Sequence, residues 1–218
     1  MVYVMDKISD MTEAQLNNCR NFIPHERLRR MDAYRNIADK KRCASAYMLL
    51  VTGMKHEYRK SPPEFVIGEF GKPFFADENN IFFNLSHSGD FAVCAISDQC
   101  IGVDVQERIN SFDGVDEFFL SVNEKMLLDE AEDPVELFTK IWTVKESYFK
   151  YRGMGIPNDS ESYDIFANHS FFSEKALFME THKLERGYVS ICSKKKEKLI
   201  FLSAPAFDVS RQNLAIIV

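Results

Sequence analysis

The chain has 218 residues, 45% of them apolar, which is enough for a core in one large domain or two small fused ones and excludes a disordered chain. A net charge of −6 excludes broad attraction to nucleic acid, so any anion site must be local. Five cysteines, an odd number with no C-x-x-C spacing, point to free thiols rather than disulfides or zinc; with no basic leader and no apolar run near about 18 residues, a soluble cytoplasmic protein with no membrane partner is expected.

Residues 2–5 are apolar and β-prone and predict a first strand. A short helix is expected over 12–22 with Thr12 as its cap, and Pro24 opens a long helical stretch to about residue 58, weakened by Gly53 and broken by Ser61-Pro62-Pro63. Four strand-like pieces follow, at 64–70, 81–85, 91–97 and 100–106, punctuated by Gly71-Lys72-Pro73, by residues 77–80 and by residues 88–90. A helical turn at 115–119 precedes a helix over 121–130, where Ser121 and Glu124 have capping-box spacing. Asp133 as N-cap and Pro134 at the first helical position start another helix, which Gly153 ends. Strands are then expected at 163–166, 176–180, 187–192 and 199–202. Residues 90–97 echo 187–193 in pattern, a hint of two α+β halves.

Several routes to function have no candidate. There is no P-loop, no G-x-G-x-x-G and no G-x-S-x-G. Four constellations remain. In Ile101-Gly-Val-Asp-Val-Gln106, strand alternation puts Gly102, Asp104 and Gln106 on one face, which suits a cation bound through oxygen; a solvated edge strand would read the same way. In Trp142-Thr-Val-Lys-Glu-Ser-Tyr-Phe-Lys150, Trp142, Glu146 and Lys150 form a helical stripe with apolar neighbours, either lining a cleft or making an ordinary surface pair. Phe83-Asn-Leu-Ser-His-Ser88 ends a strand in polar donors suited to phosphate oxygens, or simply in a turn; Ser86 and His87 point to opposite faces and do not make a nucleophile and base. Between His25 and Arg42, Arg27, Arg29, Arg30, Arg35, Lys40, Lys41 and Arg42 form a basic run that serves either a phosphate or a solvated helix face.

Asn84-Leu-Ser-His-Ser, then Gly102-Val-Asp-Val, then Trp142-Thr-Val-Lys-Glu-Ser-x-x-Lys150, in that order, resemble the phosphopantetheinyl transferases of the surfactin-synthetase-activating type. The resemblance runs over about residues 24–157. It implies an α+β fold of two pseudo-symmetric halves, 1–105 and 106–218, each a helix-flanked, mostly antiparallel sheet, with coenzyme A in the cleft between them. It also implies Mg²⁺ as cofactor, an acyl or peptidyl carrier protein as partner, and a chain that acts as a monomer. By the same resemblance Asp104, Gln106 and Glu146 are metal ligands, and Glu146, Lys150 and Asp104 form the catalytic set. Arg27, Arg30, Arg42, Gly71, Lys72, Pro73, Ser86, His87 and Lys145 are placed at coenzyme A, and Glu124 is similar to a family acid in the metal region. Gln106 departs from the pattern, because many members have a glutamate there. A relative that holds coenzyme A with impaired catalysis is therefore the competing reading.

Overall fold

The computed structural model describes residues 1–78, 80–112, 114–167 and 177–204. Its first sheet is organised around β5 (Phe91–Ser97), every residue of which is buried. Alternation along that strand serves two cores. Ala92, Cys94 and Ile96 face a layer of helices, while Phe91, Val93 and Ala95 face a second sheet. The strand order is β4 (Phe82–Ser88), β5, β1 (Val2–Asp6), β9 (Leu199–Ser203). Val2 lies opposite Ala95 on the antiparallel side of β1 and opposite Leu199 on its parallel side. The second sheet is antiparallel throughout, in the order β6 (Ile101–Glu107), β8 (Gly187–Ser193), β7 (Phe178–Leu184). A separate hairpin pairs β2 (Phe65–Ile67) with β3 (Pro73–Phe75).

The helices form the two outer layers. α1 (Glu13–Arg20), α2 (His25–Ala33) and α3 (Ile37–Tyr58) cover the first sheet, and α4 (Asp116–Phe119), α5 (Val122–Asp129) and α6 (Pro134–Arg152) cover the second. Ile101, Val103 and Val105 of β6 join Val2, Val4 and Val93 in the apolar layer between the sheets, which leaves Gly102 and Asp104 facing α6. The α+β class and the capped starts of α1, α5 and α6 agree with the sequence. Thr12 and Ser121 each make a full capping box, and the Asp133 carboxylate accepts from the Glu136 amide at 2.9 Å. All five cysteines are free. No helix among the described residues is long and apolar enough to cross a membrane.

Three expectations need correction. The helix expected from Pro24 to residue 58 is two helices. The chain turns extended at Tyr34, and Asn36 restarts it by accepting from the Ala38 amide at 2.9 Å. No strand forms at 163–166, because the Asp164 side chain takes the amides of Phe166 and Ala167 and holds a bend. The Gly71-Lys72-Pro73 segment, read as punctuation, leads into β3, with Pro73 as the first residue of the strand. Residue 176, expected to begin a strand, lies outside the described residues.

α6 reaches β6 more closely than side chains normally allow. A Cβ on Gly102 would meet the Ser147 carbonyl oxygen and the Tyr151 amide nitrogen far inside van der Waals contact. Neither of those atoms is the end of a flexible side chain, so Gly102→Ala must push the helix away. Its expected cost is about 1–3 kcal/mol or more, read as a lowered midpoint in denaturant unfolding. An unshifted midpoint would contradict the close packing.

Candidate active site

Along β4, Asn84, Ser86 and Ser88 share one face and turn towards β6. Asn84 Oδ1 accepts from the Val103 amide at 2.9 Å, and Ser88 Oγ accepts from the Glu107 amide at 3.2 Å. Between them Ser86 Oγ donates to Asp104 Oδ1 at 2.7 Å. Side chains of one strand thus hold the edge of the other sheet in fixed register. α6, lying on Gly102, adds Lys150, whose Nζ is 2.6 Å from Asp104 Oδ1, 2.9 Å from Ser86 Oγ and 3.8 Å from Glu146 Oε2. Asp104, Glu146 and Lys150 therefore meet, from a strand and a helix, around one ammonium.

The balance of charge there is unusual for a structural ion pair. The Asp104 side chain is 5% exposed, and its Oδ2 is buried without a hydrogen-bond partner. Burial raises the Glu146 pKa above the ordinary carboxylate range; Lys150 opposes the rise and Asp104 adds to it. Gln106 lies two residues beyond Asp104 on the same strand, half-buried, with its Nε2 donating to the Glu107 carbonyl at 3.0 Å. Among the described residues no third His, Cys, Asp or Glu joins the two acids. Two carboxylates with one unmet buried oxygen, and an amide beside them, suit a hard divalent cation that takes its remaining ligands from phosphate and water.

His87 sits on the other face of β4, towards the helices. Its side chain reaches solvent, but protein crowds it on the remaining sides. That desolvation, followed by the positive charges of Arg42, Lys150 and Arg27, pushes its pKa down to about 4. Arg42 is held in place by Asp39 at 2.5 Å and by donation to the Gly89 carbonyl at 3.1 Å. The Arg27 guanidinium lies over the Tyr47 ring at 5.2 Å with a buried, unpartnered Nε, and burial lowers its pKa. Arg30 is exposed on α2. With one acid, Asp39, beside Arg42 and none paired with Arg27 among the described residues, this cluster of cations suits a local anion on an acidic protein.

Other expected site residues are placed differently. Lys145 is fully buried and turned away from Asp104. Its Nζ donates to the Phe119 carbonyl and to Glu124 Oε2, each at 2.6 Å, and lies over the Phe119 ring. Glu124 is equally buried, and it also accepts the amides of Ser121 and Ile165. This pair fastens α4, α5 and the segment before β7 to α6, and neither member is free to touch a ligand or a metal. Gly71, Lys72 and Pro73 form the end of the β2–β3 turn, with the Lys72 ammonium 2.5 Å from the Lys150 carbonyl. Asn84 and Ser88 lie in the strand-end motif read from the sequence, though not as links between the sheets, and Asp39 and Tyr47 were not singled out. The alternation of Asn84, Ser86 and Ser88 carried the signal for the first two, whereas Asp39 and Tyr47 act through tertiary contacts that spacing does not record.

The model of the 4′-phosphopantetheinyl transferase superfamily matches residues 100–200, which extends the resemblance well beyond residue 157. The chain is 26% identical over 196 residues to the 4′-phosphopantetheinyl transferase Sfp of Bacillus subtilis (strain 168), covering 85% of this chain and 83% of that protein. It is 36% identical over 145 residues to the 4′-phosphopantetheinyl transferase gsp of Aneurinibacillus migulanus, covering 64% and 56% of the two chains. To the 4′-phosphopantetheinyl transferase AcpT of Escherichia coli (strain K12) it is 38% identical over 97 residues, 42% of this chain and 49% of that protein.

Glu124→Ala leaves the Lys145 ammonium buried without its carboxylate, and a loss of about 3–5 kcal/mol in unfolding free energy is expected; a loss below about 1 kcal/mol would mean that the pair is not the clamp described. The His87 imidazole should stay neutral in the ligand-free protein until the pH approaches about 4, as followed by nitrogen chemical shifts. Inorganic pyrophosphate bound among these cations should raise that midpoint. A midpoint that pyrophosphate leaves unmoved would separate His87 from the anion site.

Proposed function

The chain belongs to the 4′-phosphopantetheinyl transferase superfamily, of the surfactin-synthetase-activating (Sfp) type, and from that premise we propose that it moves the 4′-phosphopantetheine group of coenzyme A onto a serine of an acyl or peptidyl carrier protein. In this reading the reaction depends on Mg²⁺ and releases 3′,5′-ADP. The observation that carries it is the meeting of Asp104, Glu146 and Lys150 beside a group of unbalanced cations. Such a site accepts a divalent cation and a pyrophosphate together, whereas an ordinary surface salt bridge has no room for either role.

Asp104, through its unmet Oδ2, and Glu146 would hold the Mg²⁺, with the Gln106 amide oxygen as a weaker neutral ligand. When bound, the ion offsets negative charge on the pyrophosphate oxygens. Arg27, Arg42 and His87 bind and orient the nucleotide phosphates of coenzyme A, with Arg30 reaching them from the open side of α2. Ser86 would have to turn its one hydroxyl hydrogen away from Asp104 Oδ1 to reach a phosphate oxygen. The carrier serine oxygen attacks the phosphorus that bears the pantetheine arm, and the bond from that phosphorus to the 3′,5′-ADP oxygen breaks. Glu146, which burial makes more basic than a surface glutamate, takes the serine proton at its carboxylate. Lys150 leaves Asp104 for the transferring phosphoryl oxygens, where an ammonium in a partly enclosed site stabilises the charge that develops.

Mass spectrometry of apo carrier proteins incubated with the protein, coenzyme A and Mg²⁺ is expected to show the gain of one phosphopantetheine. Lys150→Ala should slow that gain roughly 100-fold or more, and Asp104→Ala should remove the stimulation by Mg²⁺. Tight binding of coenzyme A with no mass gain on any carrier in a panel would instead favour the non-catalytic relative suggested by Gln106.

A further inference from the structure

The β2–β3 hairpin is two strands of three residues each, too little to stand alone in water. Its inner face is anchored by Phe65 and Phe75, which pack on Phe83 at ring separations of 6.1 and 4.5 Å. Its outer face exposes Val66 and Phe74, Ile67 is exposed at the end of the inner face, and Phe70 is exposed at the turn. The turn is closed by two backbone bonds, Gly71 N to Gly68 O and Gly68 N to Lys72 O, both 2.9 Å. This geometry fixes where Lys72 leaves the hairpin, and its side chain does not point into solvent.

The Lys72 ammonium lies where the end of α6 meets the start of β6. It donates to the carbonyls of Lys150 at 2.5 Å, Ile101 at 3.2 Å and Tyr151 at 3.4 Å. The last carbonyls of a helix lack intrahelical partners and carry its negative pole, so a buried cation is well placed there. No carboxylate pairs with Lys72 among the described residues, and burial lowers its pKa. The carbonyls it holds belong to Lys150 itself and to the residue after it. Ile101 is the neighbour of Gly102, the point on which α6 rests.

We propose that Lys72 is a positioning residue: its ammonium fixes the backbone of the last turn of α6 to the start of β6, and through that backbone sets the Lys150 side chain against Asp104. The kinetic part rests on the transferase reading given above; the structural part does not. Lys72 acts through carbonyl groups and makes no contact with the transferred group.

Lys72→Met keeps the aliphatic stem and removes the charge. In the ligand-free protein the amides of Gly153 and Met154, which close the end of α6 on the carbonyls of Lys150 and Phe149, should exchange hydrogen at least tenfold faster in this variant. With coenzyme A and an apo carrier, kcat should fall roughly tenfold while the KM for coenzyme A changes less than twofold, as for a group that matters only in the transition state. Lys72→Arg, which keeps the cation and its donors, should recover at least half of both losses. Unchanged amide exchange in a folded Lys72→Met protein overturns the proposal. So does a raised KM for coenzyme A at unchanged kcat, because that is the signature of direct contact. If Lys72→Met does not fold, the exchange and kinetics of Lys72→Arg decide: wild-type exchange at Gly153 and Met154 with wild-type kcat supports the proposal, and wild-type exchange with a raised KM overturns it. A wild-type protein that modifies no carrier sinks the transferase reading and leaves the exchange measurement to judge Lys72.

Discussion

The absence of a side chain at Gly102 governs the arrangement of everything near it. α6 rests on the backbone of β6 there, with the Ser147 carbonyl and the Tyr151 amide where a Cβ would stand. Two residues along the strand is Asp104, and Glu146 and Lys150, one residue before Ser147 and three after it, stand about one turn of helix apart beside it. Were the helix held off by a methyl group, Lys150 and Glu146 would move together away from Asp104. The seam of Asn84, Ser86 and Ser88 then fixes the other sheet to this pair, so an acid from one strand and a hydroxyl from another share a single cation.

Charge at the site is kept out of balance by design of the surroundings. The two buried pairs on α6 show the contrast. Lys145 and Glu124 bond to each other and to the neighbouring backbone. One residue further along the helix, Glu146 is forced upward in pKa and Asp104 retains an oxygen with nothing to accept. The first arrangement holds the helix down, and the second leaves a buried carboxylate oxygen unpaired. Adjacent positions on one helix point about 100° apart, which is how a clamp and a reactive group stand side by side without mixing.

Much of this was legible in the sequence, and the parts that were not have physical reasons. Periodicity put Asp104 on one face of a strand and Glu146 and Lys150 on one stripe of a helix, because alternation and i, i+4 spacing are backbone properties that survive folding, and the family resemblance gave those residues their expected roles. Caps at Thr12, Ser121 and Asp133 were readable for the same reason. Asn36 was overlooked inside a run that continues to look helical, since a capping asparagine and a helical asparagine are the same letter. Lys145 sits in the motif between Trp142 and Glu146, and spacing alone does not say that its direction leads into a core. Lys72 was read with its loop, and only tertiary structure reveals that its ammonium ends on a helix terminus. Asp164 bends the chain where apolar neighbours suggested a strand, a case in which one side chain's hydrogen bonds outweigh local propensity.

The pairing of β1 with β9 carries a consequence for how the protein comes into being. Val2 is made long before its parallel neighbour Leu199, and the two can pair only once Leu199 has appeared. Until then one side of β1 is an open row of amides and carbonyls, flanked by the apolar residues Val2 and Val4 that the finished protein hides. Closing a contact so distant along the chain is slow compared with forming α3 or α6. That edge of β1 is therefore open to wrong pairing until β9 has been made.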